Sequence, residues 1–180
     1  IVGFSQYSAA QNITLTYTGP NIIEVGADCT APLDWGGIDS VMVSCITPGC
    51  VITNFGLLSI SGGYAENDPI SAGENVIITY FAEDDDGNDA FLGFDIDFVD
   101  LSVPTFDLTS VPLDASFDCL TDAPAPPAVG SIVAIDNCPS PGGTSGDVTI
   151  IYEGETNTPA TCTGGAITRT WSATDDAGNT

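Results

Sequence analysis

Two acidic turns hold the densest set of side chains in this sequence that could do chemistry. Asp84-Asp85-Asp86-Gly87-Asn88-Asp89 and Asp175-Asp176-Ala177-Gly178-Asn179-Thr180 share an Asp-x-x-Gly-Asn core. Such a core has two readings. Carboxylate and amide oxygens can gather around calcium, a hard cation bound through oxygen, or glycine supplies the positive φ that a tight hairpin needs. The metal candidates are Asp84, Asp85, Asp86, Asp175 and Asp176. The EF-hand spacing fails, since oxygen side chains would be needed at Ala82 and Ala173. Further ligands would have to come from neighbouring loops. No cofactor is required on this reading, and Ca2+ is the ion the turns would accept.

Catalysis has little to work with. The chain has no histidine and one basic side chain, Arg169, so only carboxylates, hydroxyls and thiols could act as base or nucleophile. A glycosidase-like carboxylate pair is formally available, but nothing singles out one pair among 25 acidic residues. The expectation is a non-enzyme.

Six cysteines without histidine or a CxxC pair argue against zinc or redox chemistry and for disulfides in an oxidising, extracellular compartment. Cys29 matches Cys119, and Cys45-Ile46-Thr47-Pro48-Gly49 matches Cys138-Pro139-Ser140-Pro141-Gly142. Equivalent positions suggest equivalent bonds, Cys29 with Cys45 and Cys119 with Cys138, each contributing roughly 3 kcal/mol in the chain-entropy model. Cys50 and Cys162 are then unassigned, and a local Cys45–Cys50 bond is the rival.

The elements that position these groups read as strands and turns throughout. Thr, Val, Ile, Phe and Tyr alternate between clusters of Gly, Pro, Asn and Asp, so the class is all-β. Predicted strands are 12–17, 22–25, 51–53, 57–60, 76–81 and 91–99, then 131–135, 148–152 and 167–173. An internal repeat divides them. Gly3, Phe4, Asp28 and Cys29 recur at Gly93, Phe94, Asp118 and Cys119, an offset of 90 throughout, and Ile1-Val2-Gly3-Phe4 reads like Phe91-Leu92-Gly93-Phe94. Two modest domains follow, at 19–108 and 109–180, preceded by a strand segment at 1–18. Each has the size of an immunoglobulin-like β-sandwich of about seven strands.

A formal charge of -24 excludes nucleic acid and anionic membrane as partners. No apolar run is long enough to span a bilayer, and a chain beginning at Ile reads as a mature form or an excerpt.

In the second repeat, Phe117-Asp118-Cys119, Asp136-Asn137-Cys138 and Ile167-Thr168-Arg169-Thr170-Trp171-Ser172-Ala173-Thr174-Asp175-Asp176-Ala177-Gly178-Asn179 resemble the immunoglobulin-like, hyalin-repeat-like modules strung along secreted surface proteins of Bacteroidota. The resemblance covers most of 115–180. It is weaker in the first repeat, where Tyr80-Phe81-Ala82-Glu83-Asp84 stands for the Trp-x-Ala-Thr-Asp core. It implies tandem sandwiches, an extracellular structural or adhesive role and no catalysis. It also draws attention to Asp39-Ser40-Val41, similar to the short O-glycosylation site of that phylum. With the Asn12-Ile13-Thr14 sequon, this makes Asn12 and Ser40 the candidate carriers of covalent glycans.

In the first repeat the acidic turn runs into a strand; after the second copy the sequence shows none. The second sandwich is therefore expected to lack its final strand, and residues 1–10 to supply it to another copy, with Ile1, Val2 and Phe4 as the donor positions. Ten residues span roughly 33 Å, about the length of a sandwich. Donor and groove at opposite ends make a heterologous, head-to-tail homopolymer, pilus-like in its strand exchange. The function expected is a protomer of an extracellular filament; the alternative is an adhesive module of a covalent tandem-repeat surface protein. An adhesive site needs an exposed aromatic, for which Trp35 is the candidate, although it also reads as a tryptophan packed at a sandwich end. Trp171 reads as core.

Overall fold

The computed structural model describes residues 12–117, 122–138, 148–158 and 166–180. The chain is all-β, with twelve strands among the described residues and only short 3-10 turns besides. It divides into two compact units, 1–100 and 101–180.

The first unit is built on a four-stranded sheet ordered β2 (Ile22–Glu24), β8 (Asp89–Val99), β7 (Asn75–Asp84), β5 (Ile52–Ile60). β7 and β8 form an antiparallel hairpin, and β2 joins β8 in parallel. The strict alternation of β7 puts Val76, Ile78, Tyr80, Ala82 and Asp84 on the buried face, and register aligns the first four with Ile96, Phe94, Leu92 and Ala90 of β8. A side-chain period of two makes this face continuous.

β1 (Ile13–Tyr17) pairs with β4 (Val41–Cys45), and β1 lies against β7 and β8. Ile13, Leu15 and Val41 are buried, as are Ala31 of β3 (Thr30–Pro32) and Ile70 of β6 (Pro69–Ser71), which pair with each other. Tyr17 stacks on Phe94 with ring centroids 3.7 Å apart and planes within 8°. Trp35 is 2% exposed, and its indole N–H donates to the Tyr80 hydroxyl at 3.0 Å. Burying the ring while satisfying its one donor is the arrangement that stabilises a core tryptophan.

At β5 and at one disulfide the first unit corrects the sequence reading. The segments 51–53 and 57–60 form one strand, β5, carrying register shifts at Ile52/Asn54 and Leu57/Ser59. And Cys45 is bonded to Cys50, which overturns the Cys29–Cys45 pairing. Gly49, at φ 94°, turns the chain so that the two Cα atoms come within 5.8 Å, inside the range a disulfide can bridge. Cys29 and Cys138 are also disulfide-bonded. Cys119 and Cys162 lie outside the described residues, and with them the predicted Cys119–Cys138 bond.

The second unit shows two two-stranded sheets among the described residues. β9 (Thr105–Phe106) pairs with β10 (Ala134–Ile135), and β11 (Thr149–Asn157) pairs with β12 (Ile167–Thr174) across a bulge at Tyr152/Gly154. Ile132, Ala134 and Ala173 are buried, whereas Ile135 and Ile151 are about half exposed. Residues 129–131, overlapping the start of the predicted strand 131–135, form a 3-10 turn, and only Ala134 and Ile135 pair.

Candidate functional site

The two acidic turns fold alike. In the first, Gly87 takes φ 79°, and the Asp84 carboxylate accepts the Asn88 backbone N–H at 2.8 Å and its side-chain amide at 2.8 Å. In the second, Gly178 takes φ 93°, and Asp175 accepts the Asn179 backbone N–H at 2.8 Å and its amide at 2.9 Å. The backbone pair matches too, with Asp84 N–H to Asn88 O and Asp175 N–H to Asn179 O, both 3.1 Å. Glycine is required because the turn needs positive φ. Asparagine is required because one residue must offer a backbone N–H and an amide to the same carboxylate.

In the first turn this network occupies the carboxylate fully. Asp84 is 2% exposed and also accepts the Asp86 N–H at 3.0 Å. The Asn88 amide and backbone N–H hold its pKa below the ordinary carboxylate range against the opposing effect of burial, helped by Asp86 N–H and the Asn12 side chain. Asp85 accepts the Val51 N–H at 2.9 Å, tying the turn to the start of β5, and Asp86 is exposed. The Asp84 carboxylate closes the hairpin and the Asp85 carboxylate fastens it to its neighbour.

The second turn differs in its surroundings. Asp175 is buried at the end of β12, Asp176 is exposed, and Asp136, just after β10, is 6% exposed. One carboxylate oxygen of Asp136 and one of Asp175 lie within 4.8 Å of each other. Asp136 Oδ2 accepts the Cys138 N–H at 2.8 Å, while Oδ1 is buried without a hydrogen-bond partner among the described residues. The only other buried side-chain polar atom so placed among them is the indole nitrogen of Trp171. Arg169, the sole basic side chain, is engaged by Glu155 at 3.1 Å and by the Pro124 carbonyl at 2.6 Å.

Sequence reasoning named Asp175 but missed Asp136. Its signal, the Asp136-Asn137-Cys138 triplet, was visible only as a repeat motif, and nothing in a linear pattern brings it beside Asp175. Of the glycan candidates, Ser40 is 9% exposed and its hydroxyl donates to the Gly37 carbonyl at 2.7 Å. Asn12 is half-buried at the entrance to β1, and its side chain hydrogen-bonds Asp84. The donor positions Ile1, Val2 and Phe4 lie outside the described residues. Trp35, the candidate binding aromatic, is core.

No family model, curated protein or solved structure matches this chain. No helix among the described residues is long and apolar enough to cross a membrane.

Proposed function

We propose that the chain is the structural protomer of an extracellular filament, in which residues 1–10 of one copy complete the second unit of the next by β-strand addition. One observation carries this reading. The Asp175–Asn179 turn has the hydrogen bonds of the Asp84–Asn88 turn, yet β7 lies between β5 and β8 while β12 is paired only with β11 among the described residues. A turn of this geometry reverses the chain into an antiparallel partner, as it does for β7 and β8. The second edge of β12 is where that partner belongs.

An edge of β12 left open among the described residues is a template for another strand, and natural proteins cover such edges. The occupant proposed is the segment containing Ile1, Val2 and Phe4, because Ile1-Val2-Gly3-Phe4 reads like Phe91-Leu92-Gly93-Phe94 of β8, the strand that fills this position in the first unit. Two immunoglobulin-like sandwiches, the second completed in trans, then repeat head to tail as an open polymer. Disulfides fit an oxidising compartment, and an acidic surface repels nucleic acid and anionic lipid. The filament needs no catalytic group and no other partner than its own copies.

Removing residues 1–10 tests the reading. The truncated chain is expected to stay unpolymerised by sedimentation, and a synthetic peptide of residues 1–10 is expected to bind it and raise its melting temperature. Polymers from the truncated chain would exclude that segment as the donor.

A further inference from the structure

We infer that Asp136 and Asp175 form a divalent-cation site, selective for calcium, that clamps the two sheets of the second unit together. The inference is independent of polymerisation. Its ground is the buried, unpartnered Oδ1 of Asp136 beside a second buried carboxylate. A carboxylate oxygen withdrawn from water without a donor is costly, and a like charge within 4.8 Å adds to that cost. Among the described residues, no basic side chain offsets it, since Arg169 is taken by Glu155 and the Pro124 carbonyl.

A bound cation resolves both costs at once. The Cys138 N–H holds Asp136 Oδ2, which fixes the side chain and leaves Oδ1 to bind an ion. On Asp175, Asn179 occupies one lone pair of each oxygen, and a carboxylate oxygen has a second to offer. The donors are oxygens only, which suits a hard ion. Irregular geometry completed by water suits calcium better than magnesium, which demands a near-ideal octahedron.

The consequence follows from where the ligands sit. Asp136 leaves β10 and Asp175 leaves β12, so one ion ties the β9–β10 sheet to the β11–β12 sheet. The affinity expected is on the order of 10⁻⁴–10⁻³ M, the range of extracellular calcium modules.

The test is calorimetric titration of the EDTA-treated full chain with CaCl2, and separately with MgCl2, at an ionic strength of about 0.15 M. Saturable binding of one calcium per chain is expected, with weaker magnesium binding and a calcium-dependent rise in melting temperature. Asp136→Asn keeps an acceptor for the Cys138 N–H but loses the charge, and should weaken binding by about tenfold or more. Asp84→Asn, in the equivalent turn of the first unit, should leave calcium binding unchanged. If Asp136→Asn does not fold, Asp175→Asn poses the same question. No saturable calcium binding to the wild type would overturn the inference. Undiminished binding in the folded Asp136 or Asp175 variant would also overturn it, assigning the ion to the exposed acidic surface.

Discussion

Tyr17 shows how single groups hold the first unit. Its ring stacks on Phe94, its hydroxyl donates to the Pro20 carbonyl at 2.6 Å, and the Trp35 carbonyl lies 3.3 Å away. Burial, with Asp34 and Tyr80 adding to it, pushes its pKa up to about 12. The unfolded chain binds this proton less tightly than the folded one. Stability from the neutral phenol is therefore complete below about pH 10 and is lost as pH rises through about 12. Chemical denaturation across that window should show a fall that Tyr17→Phe largely removes, at a cost of about 1 kcal/mol at neutral pH for the missing hydrogen bond. A variant with the wild-type alkaline fall would detach the effect from Tyr17.

At the scale of elements, the Cys45–Cys50 bond pins the end of β4 to the start of β5. A loop this short constrains the unfolded chain less than a long one, so replacing both cysteines with serine should cost roughly 2 kcal/mol in denaturant unfolding. Legibility at this scale tracked how cleanly a strand alternates. β7 and β8 were visible from the sequence because one buried face per strand imposes period two. β5 was read as two strands, since its register shifts interrupt that period and Gly56 contributes no side chain. β4 was missed, because Val41, Met42 and Val43 are all apolar and show no alternation. β3 and β6 were missed because each has three residues and their register sets Pro32 against Pro69, neither able to donate to a ladder. The disulfide was misread through trust in the repeat; Pro48-Gly49 between Cys45 and Cys50 was the local turn signal that favoured the rival. Both acidic turns were legible as turns, and their glycines have the predicted positive φ; the asparagines' bonds to the aspartate carboxylates were not foreseen. The Asp136–Asp175 pair was not legible, because it depends on two sheets meeting.

At the scale of the whole molecule, the two units repeat one hairpin device with different consequences. In the first unit the Asp84–Asn88 turn feeds β8, which fills the sheet; in the second, the equivalent turn leaves the far edge of β12 without a strand among the described residues. Strand exchange between copies is the reading proposed for that difference. The most direct measurement is electron microscopy of the native material paired with its mass after denaturation under non-reducing conditions. Fibres that dissociate to monomers, each carrying one copy of this sequence, are the predicted result. Fibres that keep a far larger denatured mass, or isolated particles without fibres, would contradict non-covalent strand exchange.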